Sequence, residues 1–160
     1  VNPRARQKLI DLSKRANPVV TAILRSRLHW PLSSGLLLLT VTGRRSGRRY
    51  TIPVGYHESD GAIVVLVGEP STKNWWRNYH SPGTVELHHR GRTMTGSAAV
   101  VSREFAEYRR LADVVFRRSR MVSRIFNVAF DPVAGLTPAQ VGELARHMAM
   151  VKIETERGRD

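Results

Sequence analysis

Chemistry in this chain concentrates in one short stretch, Thr42-Gly43-Arg44-Arg45-Ser46-Gly47-Arg48-Arg49, followed by Tyr50. Its two glycines allow tight turns that face backbone amides inward, and its four arginines present forked donors matched to phosphate or carboxylate. Thr42 and Ser46 add hydroxyl donors. The stretch lacks the Gly-Lys-[Ser/Thr] ending of a nucleoside-triphosphate loop. It also leads into a strand and not a helix, which excludes a dinucleotide fingerprint. Two readings stay open on this ground alone: an anion-binding loop and an ordinary basic hairpin.

A second cluster, Lys73-Asn74-Trp75-Trp76-Arg77-Asn78-Tyr79-His80, holds two of the three tryptophans side by side. Adjacent helical positions point about 100° apart, so one indole can face the core while the other lines a cavity. The alternative is two ordinary core aromatics. Asn78 reads as a hydrogen-bonding residue at a helix end or in a loop. Other chemistries are thin. The absence of cysteine excludes disulfides, thiolate metal sites and a thiol nucleophile. His88 and His89 are neighbours in a strand and point to opposite faces. His29, His57, His80 and His147 show no ligand spacing, so no metal is expected. No Ser-His-Asp set can be singled out, because such a triad has no fixed spacing.

The elements that must position these residues follow from periodicity. Leu9, Leu12, Ala16, Val20, Ile23, Leu24 and Leu28 recur at helical steps, and Asn17-Pro18 predicts a break. Strands are expected at 36–41, 50–57, 62–67, 85–89 and 93–101, with turns at Ser59-Asp60-Gly61 and Arg90-Gly91-Arg92. A short aromatic helix is expected over 72–80. Ser102 caps a helix running to about Ser119, with Phe105, Tyr108, Leu111 and Val115 as its apolar stripe. A further helical stretch spans 121–130. Thr137-Pro138-Ala139-Gln140 is a capping box opening a helix to His147, and 149–154 alternates as a last strand. The sum is one α+β domain over 1–160: about six mainly antiparallel strands with N-terminal, inter-strand and C-terminal helices.

The 160 residues carry 26 Lys and Arg against 13 acids, a formal charge of +13, and Arg far outnumbers Lys. Such a surplus attracts polyanions, although a genome-wide arginine bias gives the same excess. The basic N-terminal segment could lie on an anionic membrane or simply cover the core with a solvated face. No RNP-type strand pair, zinc spacing or helix-turn-helix pattern supports a specific nucleic-acid role. The longest apolar run, 36–41, is too short to cross a membrane, and no cleavable signal is seen. A cytoplasmic location is expected, with membrane association as an option.

Thr42-Gly43-Arg44-Arg45-Ser46-Gly47 with Pro53 downstream, then Trp75-Trp76-Arg77-Asn78 with Ser81-Pro82 and Val85-Glu86-Leu87, resembles the deazaflavin-dependent nitroreductase family. The resemblance covers 35–101 in order and implies a split β-barrel. It also implies binding of coenzyme F420, a deazaflavin with a phosphate and an acidic lactyl-oligoglutamate tail. By that resemblance Arg44, Arg45, Ser46 and Gly47 hold the phosphate and tail, with Thr42, Arg49 and Tyr50 beside them. Pro53 shapes the next strand, Trp75 flanks the ring, and Asn78 joins the cofactor set. The chain departs from the family at Tyr50, where an arginine is common, and at Gly55, which aligns with a pocket tyrosine. The turn at Val67-Gly68-Glu69-Pro70 is also shorter, and 103–147 matches poorly.

The resemblance implies an F420-dependent reductase passing a hydride to a hydrophobic quinone, nitroaromatic or activated alkene. Tyr56 and Tyr79 are the nearby phenols nominated as catalytic. A non-catalytic lipid, fatty-acid or flavin binder on the same scaffold is the alternative, as is an FMN-dependent reductase. The single phosphate of FMN would leave several loop arginines without a role. Split barrels often pair, so a homodimer stays open.

Overall fold

The structure, a computed structural model, describes residues 35–104 and 106–155, together with 18, 19, 21, 22 and 25. Those last five positions are helical, and the rest of the expected N-terminal helix lies outside the described residues. So do Phe105 and the tail after 155. Six strands follow: β1 Leu36–Thr42, β2 Arg49–Ser59, β3 Ala62–Gly68, β4 Gly83–His89, β5 Arg92–Val100 and β6 Met148–Thr155. Three α-helices, α1 Ala106–Arg118, α2 Arg120–Phe126 and α3 Pro138–His147, separate β5 from β6. The strands close a barrel in the order β1-β2-β3-β6-β5-β4, and the α+β split-barrel expectation holds.

The chain forms two compact units. One comprises the residues up to Gly55 with Val85–Thr95; the other comprises Tyr56–Thr84 with the residues from Gly96 onward. In the first unit β1 is the central strand. It pairs antiparallel with β2, Thr42 opposite Arg49 and Leu36 opposite Gly55, and on its other side with β4. Leu37, Leu38, Leu39 and Val41 are buried, as an apolar strand flanked on both sides should be. Pro53 sits opposite Leu38, in the part of β2 that pairs with β1. The pairing of β2 with β3 begins only at Tyr56, so Pro53 lies where a residue without an N–H is tolerated.

In the second unit β6 pairs antiparallel with β3 and with β5. Against it lies a core of Val64, Val101, Met148 and Met150 with the helical residues Tyr108, Leu111, Ala112, Val115 and Phe116. Those five follow the i, i+3, i+4, i+7, i+8 rule, while Arg109, Arg110, Arg117 and Arg118 are exposed. The Tyr108 hydroxyl donates to the Met148 carbonyl at 2.8 Å, and burial pushes its phenol up to about 12.

Two local expectations are corrected. The segment 72–80 is not one helix but two 3-10 turns, Pro70–Thr72 and Trp75–Tyr79. Glu69 enters with a left-handed backbone, and the Trp76 indole N–H is shared between the carbonyls of Pro70 (3.0 Å) and Lys73 (2.9 Å), which fixes the joint. The helix expected over 121–130 stops at Phe126. Asn127 adopts the left-handed conformation and donates its amide back to Arg124 and Ser123, a standard asparagine stop. Ser119 interrupts the preceding helix and caps α2 by accepting from the Val122 amide.

Candidate functional site

The loop between β1 and β2 is built by its own backbone. Gly43 donates to the Arg48 carbonyl at 2.9 Å, and Gly47 donates back to the Gly43 carbonyl at 2.8 Å. Gly47 holds φ of 63°, a left-handed conformation that side chains disfavour. The Ser46 hydroxyl accepts the Arg48 amide at 3.3 Å, and a Cβ on Gly43 would come within 2.6 Å of that oxygen. A side chain at Gly43 would therefore have to push the Ser46 hydroxyl off the Arg48 amide.

This folding exposes Arg44, Arg45, Ser46, Arg48, Arg49 and Tyr50, with Thr42 exposed at the end of β1. Arg49 makes an ion pair with Glu86 on β4 at 3.1 Å, both half-exposed, so its guanidinium is partly engaged. The structure thus places Thr42, Arg44, Arg45, Ser46, Gly47, Arg49 and Tyr50 in or beside one loop, while Pro53 lies four register positions along β2, opposite Leu38. Partial burial pushes the Tyr50 phenol upward, so it stays a neutral donor at neutral pH. Several exposed cations and the hydroxyls of Thr42, Ser46 and Tyr50, with no acid in the loop itself, form a donor set suited to an anion with more than one charged group.

Trp75, Asn78, Tyr79 and Tyr56 belong to the second unit. Trp75 and Trp76 are equally buried, 8% exposed each, so the expected division into a core indole and an open one is not seen. Trp75 meets Tyr79 edge-on at 6.4 Å between ring centroids, and Tyr79 underlies Gly83. Asn78 is half-buried in the same turn. The nominated phenols are enclosed: Tyr56 is 4% and Tyr79 3% exposed. Gly55, where the family tyrosine would fall, is exposed, and Tyr56 lies on the inner face, as strand alternation requires.

Two residues near these clusters were not singled out from sequence. Glu86 lies 37 positions from Arg49, and only the β1–β2 and β1–β4 registers bring them together. Lys73 donates to the Gly68 carbonyl at 2.6 Å, and burial of its ammonium pulls its pKa below the ordinary lysine value. Its position just before the Trp-Trp pair was the available signal. Among the described residues no group of three His, Asp or Glu could hold a metal, and no helix is long and apolar enough to cross a membrane.

No curated protein sequence matches the chain. Among solved structures, the haem storage protein HutZ from Vibrio cholerae aligns at 13% identity with a TM-score of 0.53, covering 88% of this chain and 90% of that one. That likeness concerns the fold. An FMN-binding, pyridoxamine 5'-phosphate oxidase-related protein from Nostoc punctiforme aligns at 9% identity and TM-score 0.48, over 86% and 79% of the two chains. The FAD- and haem-binding protein from Mycobacterium smegmatis aligns at 13% and 0.41, over 84% and 73%. The sequence match is more specific: residues 22–124, spanning the arginine loop, the Trp-Trp turn and all strands but the last, match the family described as F420H(2)-dependent quinone reductase. On that match the chain belongs to the F420H(2)-dependent quinone reductase family.

Proposed function

We propose that this protein is an F420-dependent oxidoreductase that reduces a hydrophobic acceptor, a quinone before a nitroaromatic or an activated alkene. The observation that carries the reading is the arginine loop. Its glycine-turned backbone presents exposed cations and the Ser46 hydroxyl together, a set that fits a phosphate followed by carboxylates. When bound, the reduced deazaflavin supplies a hydride to the acceptor. The protein's own residues bind and orient: Arg44, Arg45, Ser46 and Gly47 hold the phosphate and acidic tail, with Thr42, Arg49 and Tyr50 supporting them. Pro53 stiffens the strand that follows. Trp75 and Asn78 are assigned to the cofactor by family resemblance.

Tyr56 and Tyr79 are proposed to supply the proton that accompanies reduction. Their burial also favours a second reading, a binder of flavin or lipid without turnover, since an enclosed phenol reaches an acceptor only if the surrounding turn gives way. Exchange of each for phenylalanine at saturating cofactor separates the two: a fall in kcat at unchanged cofactor affinity supports the proton role.

Titration with F420 and with FMN, followed by intrinsic tryptophan fluorescence, tests the main reading. F420 is expected to bind more tightly than FMN. Arg44→Ala with Arg45→Ala should weaken F420 by roughly a hundredfold, the equivalent of losing one or two charge-assisted hydrogen bonds. If neither cofactor binds, the enzyme reading fails, and the purified protein should be extracted for lipid.

A further inference from the structure

We infer that the face of α2 carrying Met121 and Ile125 docks on an anionic lipid bilayer. The inference does not rest on the cofactor reading. Met121 is 67% and Ile125 62% exposed, and their i, i+4 spacing sets them one above the other. The neighbouring face of the same helix, about 100° round, is already occupied: Val122 is buried in the helical core, and Phe126 packs on Phe116 at 6.4 Å and under Gly68. The two large apolar side chains are therefore not needed to hold α2 in place. They stand exposed on a helix that is anchored along an adjacent face.

Charge identifies what covers them. Arg120 and Arg124 form a second i, i+4 row beside the apolar one, and both are exposed without a side-chain partner among the described residues. The two preceding arginines are otherwise employed: Arg117 lies over the Phe130 ring at 5.9 Å, and Arg118 donates to the Glu58 carbonyl. No acid occurs between Asp113 and Asp131. An apolar ridge beside an uncompensated cationic row is the arrangement in which side chains enter the acyl boundary while guanidiniums meet lipid phosphates. A second copy of the chain fits less well. A two-fold contact through this face would set the arginine rows of both copies against each other, with no acid on α2 itself to offset them.

Flotation of the full chain with vesicles tests the inference. Phosphatidylcholine vesicles containing phosphatidylglycerol should carry the protein, pure phosphatidylcholine should not, and added salt should release it. Met121→Glu with Ile125→Glu should reduce the bound fraction about tenfold or more, as expected when two apolar anchors are replaced by like charges to the membrane. Arg120→Gln with Arg124→Gln should remove most of the salt-sensitive part. Because the chain has no cysteine, Ile125→Cys gives one labelling site, and a polarity-sensitive dye there should shift to the blue with anionic vesicles. That variant keeps the test valid if the glutamates disturb folding. Three results would overturn the inference. One is no binding to anionic vesicles. Another is binding unchanged by both double variants with an unshifted dye, which assigns any lipid contact to another basic segment. The third is a dimer in sedimentation that Met121→Glu with Ile125→Glu dissolves, which gives the face to a second copy.

Discussion

Ser46 serves the loop twice, taking the Arg48 amide and filling the space beside Gly43. This economy explains what was readable at the scale of single residues. Glycines and arginines adjacent in sequence make a local structure, so the loop and its donor set are legible without knowing the fold. Glu86 was not, because its approach to Arg49 depends on two strand registers. Nor was the enclosure of both tryptophans, where the Trp76 indole reaches back to the Pro70 carbonyl outside the expected helix as well as to that of Lys73. Titration behaviour is likewise set by tertiary neighbours. Burial, and then the charge of Arg118, hold the His57 pKa below the ordinary 6.5. Between that lowered value and 6.5 the unfolded chain binds more protons than the folded one. Stability is thus fully present above about pH 6.5 and falls as pH drops through the folded pKa. Urea midpoints measured down to about pH 5 should decline, and His57→Gln should flatten that part of the decline. An unchanged slope in the variant would remove His57 as the source.

Among the elements, α3 is the one whose boundaries were written most plainly in the sequence. The Thr137 hydroxyl accepts the Gln140 amide, the Gln140 side chain accepts the Thr137 amide at 2.9 Å, and Pro138 occupies the first turn where its missing N–H costs nothing. Gln140 also donates to the Ala129 carbonyl, tying the cap to the preceding loop. Thr137→Ala should cost about 1 kcal/mol by chemical denaturation, the usual value for a lost N-cap. A loss below a few tenths would mean that Pro138 and Gln140 hold the start without it. The ends of α2 were harder. Apolar residues continue through Val128 and Phe130, so periodicity alone carries the helix too far, and the stop lies in the backbone of Asn127. Hydrophobic periodicity locates the faces of helices well and their ends poorly, since ends are decided by one residue's conformation.

At the scale of the whole molecule, the sequence contained the number and place of the strands but not their neighbours. β1, β2 and β3 run in chain order, while β6 takes a place between β3 and β5. No local pattern announces that, although a lone alternating segment after three helices requires a strand partner somewhere. The insertion has a consequence for how the protein is made. β3 is complete about eighty residues before the strand that pairs with it on that side, and β5 waits almost fifty. During synthesis both carry open edges with buried-type side chains such as Val64 and Val65, exposed until residues 148–155 have cleared the ribosome. A chain cut short before Met148 should therefore collect in the insoluble fraction, while one ending just after Thr155 should remain in solution, a difference read directly by centrifuging a lysate. β6 is the stitch that joins β3 to β5, and until it is drawn through, the two seams it closes stay open.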